Sequence, residues 1–415
     1  MSLAPSGDNP IPERLRADHL FVLAGYNPLP VWVAARLLLQ PGGQLYFVGS
    51  AKTLPGSRRV AKRLLQLGYQ QPTYVNLGDP YDAHQTYDAI AGQLRQISSG
   101  RVGLNYTAGT KVMSVHAYRA MEKHIGRGLR GPIFSYLDPT KLQMRFDRTP
   151  ELPEGHSPVS VGLAPETALT IQELFAFHSE HARLTGAKQQ PPALPVAEAI
   201  ARLHFRADGF EKWRPHSMKL TALGGKVGGQ TLEEWPPELA PVRQALFAPA
   251  PTARTLDDLH RTRAWPFQSP QHLAAWLDGL WLESYVVDRV SRVAANHALV
   301  NDYLQDLKCD FGGWDIQADV AAMRGYQLHF ISCYTGKKTA PSTIKLMEAV
   351  VRARQIGGDE AGAALVCMSE TPEEIEADVR RSLRELHVRV FGRSHLEQLE
   401  THLLDWFREG VGTSS

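Results

Sequence analysis

The sequence predicts an α/β fold in two sheet-bearing parts, and three observations carry that expectation. Five short apolar runs alternate with helix-period segments over residues 19–147. Proline clusters then break up the chain to about residue 270. Beyond that the pattern returns to helix, strand, strand, helix, strand. Strand–helix alternation means a mostly parallel sheet with helices on both faces. The expected division is 1–150 for a first α/β domain, 151–269 for a helical, Pro-rich connector, and 270–415 for a second, mixed α/β domain.

The first-domain strands are HLFVLAG (19–25), QLYFVGS (44–50), TYVNLG (73–78), VGLNYTAG (102–109) and PIFSYLD (132–138). Between them LPVWVAARLLL, SRRVAKRLLQLG, DAHQTYDAIAGQLRQI and KVMSVHAYRAMEKHI carry apolar residues at helical spacing. In the connector, ALTIQELFAFHSEHARL (168–184) and VAEAIARLHF (196–205) read as helices among prolines, and a small winged-helix-like unit is one arrangement open to this segment. In the last part AAWLDGLWLESYVVDRVSRVA is helical. DIQADVAAM and QLHFISCYTG are strands joined by a turn at Arg324-Gly325. A helix through TIKLMEAVVRARQIGG ends in glycine, AALVCM is a buried strand, and SHLEQLETHLLDWFREG is a closing helix.

Composition narrows the function classes. With 415 residues the chain has room for two or three cores. A net charge of +2 gives no overall basic field, so a polyanion must be met by a local patch. Cys309, Cys333 and Cys367 lack C-x-x-C spacing and are odd in number, which argues against a disulfide framework or a structural zinc. No leader pattern and no apolar run of membrane-spanning length is present, so a soluble, cytoplasmic protein without membrane partners is expected.

The stretch LNYTAGTKVMSVHAYRAM (104–121) carries the strongest local chemistry. A strand ends in Asn105, a tight turn runs through Thr107, Gly109 and Thr110, and Lys111 falls in the first turn of a helix. A cation is unfavourable there because the macrodipole is already positive, and the turn holds no acid to offset it. An external anion is therefore expected. Open N–H groups, two threonine hydroxyls and Lys111 make a phosphate cradle, with Gly109 letting the ligand approach. The competing reading is an ordinary strand-to-helix turn with a solvated lysine. Gly25, Asn27 and Pro28 lie at the end of the first strand, where ligands of open α/β sheets bind.

NYTAGTKVMSVHAYRA resembles the signature of CARF domains, the Rossmann-like sensors of CRISPR ancillary proteins, and Asn27-Pro28 in LAGYNPLPVW resembles their first-strand loop. WLESYV, DIQADVAAMRGYQLHFISCYTG, IKLMEAVVRARQIGG and the tail LRELHVRVFGRSHLEQLETHL are similar, in order and spacing, to the restriction-endonuclease-like domain of the CARF-fused nucleases. The resemblance covers roughly 19–147 and 270–407. It implies a homodimer that binds a cyclic oligoadenylate, often cyclic tetra-adenylate, between two sensor domains, and a metal-dependent nuclease switched on by that ligand. Lys111 would then face a phosphate of the cyclic nucleotide.

Nucleases of the PD-(D/E)xK type place an acid on one strand and an acid-x-lysine on the next, and the acids hold Mg²⁺ or Mn²⁺. Asp319 matches the strand acid and Glu283 the helical acid, so these two are the expected metal ligands. The acid-x-lysine positions fall on Ser332 and Tyr334. Tyr334 cannot act as a point charge, which leaves Lys337, Lys338 or, in the following helix, Lys345 as substitute. Asp315 is a further carboxylate four residues before Asp319. The expected function is a cyclic-oligoadenylate-activated endonuclease of type III CRISPR antiviral defence, cutting DNA, RNA or both. The alternative is a ligand-binding sensor whose nuclease-like domain is silent. His329 has no spaced partner and is not read as a zinc ligand.

Overall fold

The computed structural model describes residues 9–126, 128–149, 152, 156–206, 208–231, 233, 235–383 and 387–409. The first sheet contains β1 (Ala17–Leu23), β2 (Leu39–Ser50), β3 (Thr73–Leu77), β4 (Gly100–Asn105), β5 (Leu129–Asp138), β6 (Gln143–Phe146) and β7 (His156–Ser160). Its order is β3-β2-β1-β4-β5-β6-β7, with the first five strands parallel and the last two added antiparallel. The crossovers are α1 (Leu29–Leu38), α2 (Leu54–Gln66), α3 (Ala83–Leu94) and α4 (Lys111–His124). Alternate residues of β1 explain its unbroken apolar run. Leu20 and Val22 share a core with α1 and α2, while Phe21 and Leu23 pack with α3 and α4.

The chain continues through α5 (Ile171–His178), β8 (Arg183–Lys188), α6 (Leu194–His204), α7 (Gly209–Ala222), α8 (Ala240–Phe247), α9 (Leu256–Arg261) and α10 (Pro270–Ala275). A five-residue π-helical segment, Trp276–Leu280, leads into α11 (Trp281–His297). Then come β9 (Asp302–Asp310), β10 (Asp315–Arg324), β11 (Gln327–Tyr334), α12 (Thr339–Gly357), β12 (Gly362–Cys367), α13 (Pro372–Leu383), β13 (Val388–Phe391) and α14 (Leu399–Arg408). The second sheet has the order β13-β12-β11-β10-β9-β8. Helices α6–α11 and α14 share one core with Val320, Ala322 and Ile331 of this sheet. On the other face, Leu328 and Phe330 of β11 and Ala353 and Ile356 of α12 belong to the same core as α1.

One expected helix is shorter than its pattern. The run over 168–184 ends at His178, where Ser179 turns extended and donates its hydroxyl to the Phe311 carbonyl at 3.2 Å. Residues from Arg183 then pair with β9, so a strand of the second sheet comes from inside the Pro-rich segment. The first sheet likewise runs past residue 150, through β7 to Ser160.

Candidate functional site

A cavity of about 780 Å³ opens at the carboxyl ends of the parallel strands. The strand order reverses between β1 and β4, and such a switch point leaves a crevice because the neighbouring crossovers leave in opposite directions. Gly25 and Tyr26 wall it after β1, Lys52 after β2, Tyr81 after β3, and residues 109–113 at the start of α4. Gly109 is required twice over. Its φ is +87°, and a Cβ there would stand 3.1 Å from that of Leu23. Thr110 caps α4 by accepting the Met113 N–H at 3.1 Å, and donates its hydroxyl to the Pro80 carbonyl at 2.8 Å. It thereby ties the β3 loop to the helix start. Lys52 and Lys111 are exposed on the wall, and the first-turn N–H groups of Lys111 and Val112 have no intrahelical acceptor.

Four expected ligand residues are not on this wall. Asn105 is 1% exposed and acts as a bracket: its amide donates to Ser135 Oγ at 3.2 Å, and its Oδ1 accepts the Thr107 hydroxyl at 2.8 Å. Thr107 Oγ1 in turn accepts the Leu137 N–H at 2.8 Å, so both side chains are used in joining β4 to β5. Asn27 Oδ1 accepts the Leu29 N–H at 3.0 Å, and its amide nitrogen packs on Gly358. Pro28 precedes α1 and lies beside Gly56. Lys52 and Tyr26, the latter 77% exposed, escaped the sequence reading. The signal was available, since both immediately follow apolar strand runs.

The second site lies where β10 meets β11. Asp319 Oδ2 accepts the Ser332 hydroxyl at 3.1 Å and the Cys333 N–H at 2.7 Å. Lys345, Glu348 and Arg352 of α12 line a small cavity together with Asp319 and Ser332. Burial, then the Asp319 and Asp306 carboxylates, push the Glu283 carboxyl up to about 8. The half-buried Cys333 thiol is raised by desolvation and by Asp319 and Glu283, and Lys345 opposes that rise, so these four groups share one neighbourhood. Tyr334 is elsewhere: its ring folds over Gly336 and packs with the core between α12 and α13. Lys337 is paired with Glu211 at 2.9 Å. Asp306 stands opposite Asp319, between the pairs Ala318–Leu307 and Val320–Gln305, with a left-handed φ of +51°. It was missed because Tyr303-Leu304-Gln305-Asp306 breaks the alternation that only the second half of β9 carries.

Among the described residues no group of three or more His, Cys, Asp or Glu side chains is arranged to hold a metal ion. Mg²⁺ does not need such a cage, since it commonly takes one or two carboxylates plus substrate phosphate. Burial is the largest cause of the raised Glu283 carboxyl and the Asp319 carboxylate adds to it, a crowding of two acids that a divalent cation would relieve.

A doubly wound domain with a cavity at its strand ends, joined to a mixed sheet with an acidic centre on β10, defines a two-part α/β protein. The chain is similar in structure to protein VC1899 from Vibrio cholerae (TM-score 0.64, 17% identity, covering 95% of this chain and 100% of that one). It is also similar to Can2 from Sulfobacillus thermosulfidooxidans, solved in complex with cyclic tetra-adenylate (TM-score 0.66, 15% identity, covering 94% and 99%). No protein-family profile matches the sequence, and no curated protein sequence does. At these identities the likeness is one of fold. Among the described residues no helix is long and apolar enough to cross a membrane.

Proposed function

We propose that this protein is a cyclic-oligoadenylate-activated, metal-dependent endonuclease of type III CRISPR antiviral defence, acting as a homodimer in the cytoplasm on DNA, RNA or both. The observation that carries this reading is the cavity of about 780 Å³ rimmed by Lys52, Lys111 and the N-terminus of α4, in the same chain as the Asp319 centre. Helix N-termini and lysines recognise phosphate, and the structurally similar Can2 holds cyclic tetra-adenylate. A ring of repeated nucleotides suits a two-fold site, because each protomer can offer the same contacts to half of it.

Asp319 and Glu283 would hold Mg²⁺ or Mn²⁺, which supplies a polarised phosphate and a hydroxide at neutral pH. The chain's own part is to fix that carboxylate. Ser332 and the Cys333 N–H orient Asp319 through one oxygen, leaving Oδ1 open to a ligand.

The test is nicking of supercoiled plasmid and cleavage of single-stranded RNA with Mn²⁺, with and without cyclic tetra-adenylate. Ligand-stimulated cutting of either substrate is expected. The serine and tyrosine at the acid-x-lysine positions favour one rival, a sensor with a silent nuclease domain. Ligand binding with neither substrate cut, at any metal concentration, would establish that rival instead.

A further inference from the structure

We propose that α12 supplies the phosphate-binding half of the second site, with Lys345 and Arg352 holding the nucleic-acid backbone over Asp319. This rests on the nuclease reading and names its substrate contacts. The strand offers no cation at the position where the family resemblance expects one, because Tyr334 is folded into the neighbouring core. Instead, residues 345, 348 and 352 recur at i, i+3 and i+7, one face of a helix, and all three line the cavity that contains Asp319.

Charge pairing sets these two cations apart from several of their neighbours. Lys337 is taken by Glu211, Arg354 by Asp359, and Lys188 and Lys308 by Asp306. Neither Lys345 nor Arg352 has an ion-pair partner among the described residues, although Glu348 lies between them on the same face. Arg352 is nevertheless held in place, since its Nη1 donates to the Gln317 carbonyl at 3.1 Å at the start of β10. Arg352 is exposed and lines the cavity, and a guanidinium has the fork geometry that suits phosphate oxygens. Seven residues of helix separate the cations by about 10.5 Å of rise, so they meet separate phosphates.

The test uses the full-length chain with cyclic tetra-adenylate and EDTA, so that binding is read without cleavage. Affinity for a labelled DNA duplex and a labelled RNA single strand is measured by fluorescence anisotropy across a salt series. Each phosphate contact removed lowers the slope of log affinity against log salt by about 0.9 for duplex or about 0.7 for single strands. Arg352→Gln and Lys345→Gln should each lower it by that amount and the double variant by the sum. Arg352→Lys keeps the charge and should keep the slope, which separates charge loss from misfolding. Lys337→Gln, already paired, should change nothing. Unchanged slopes in both glutamine variants, or no binding of either oligonucleotide by the wild type, would overturn the proposal. A chain that shows the slope losses yet never cuts would sink the nuclease reading alone. A chain that cuts with unaltered slopes would do the reverse.

Discussion

The side chain of Asn27, in the loop after β1, lies against Gly358, the residue that ends α12. Its neighbour Tyr26 walls the ligand cavity, and α12 lines the Asp319 cavity. The loop and one helix thus span the distance between the two sites. Gly358 has φ +70°, and a Cβ there would run into the Asn27 amide nitrogen. Gly358→Ala should therefore lower stability by at least about 1–2 kcal/mol from the left-handed backbone alone, read by urea denaturation. Asn27→Ala, which removes a side chain off the cavity wall, should leave cyclic tetra-adenylate affinity unchanged.

Ligand binding should depend on the wall lysines. Loss of a charge-assisted hydrogen bond costs about 1.5–3 kcal/mol, so Lys111→Ala should weaken cyclic tetra-adenylate binding by roughly tenfold to a hundredfold in calorimetric titration. Lys52→Ala should act in the same direction. Unchanged affinity in both would remove the cavity from consideration as the ligand site.

Asn105 belongs to the same signature but should behave differently. Its truncation leaves the half-buried Thr107 hydroxyl without its acceptor, a cost of about 1 kcal/mol. Asn105→Ala is expected to lower the unfolding midpoint, with any loss of ligand affinity following from that destabilisation.

Cleavage should require Asp319. Asp319→Ala removes the carboxylate that Ser332 and Cys333 orient, and should abolish cutting of plasmid and RNA while leaving ligand affinity and the oligomeric mass intact. Equal cutting by the variant would place the chemistry elsewhere in the chain.

Acid should destabilise the fold through its buried histidines. Burial lowers His204 from 6.5 to about 4, against the opposing hydrogen bond to the Ile200 carbonyl. The unfolded chain therefore binds this proton first. The contribution is fully retained above about pH 6.5 and falls away toward about pH 4, by at most about 1.4 kcal/mol per pH unit. His178 is shifted in the same direction. A His204→Gln variant should show a shallower loss of urea stability than the wild type across that window.

The five parallel strands of the first sheet with their crossover helices, strands β10–β12 of the second, the glycine at 109 and the cavity-lining Lys111 were legible from residue types alone, because periodicity and turn chemistry are local properties, whereas β6–β9 and β13 were not. Asp319 and Lys345, read through the nuclease resemblance, share a cavity. What the sequence left open was pairing at long range. Asn105 reads as a ligand residue until β5 arrives to take its amide, and Asn27 until its Oδ1 takes the Leu29 N–H and its amide packs on Gly358. Likewise Asp306 acquires meaning only when β9 sets it opposite Asp319, and Arg352 only when α12 lays it over the start of β10. A side chain's chemistry is written in its residue type, but the partner that consumes or frees it is set by which distant segment packs there.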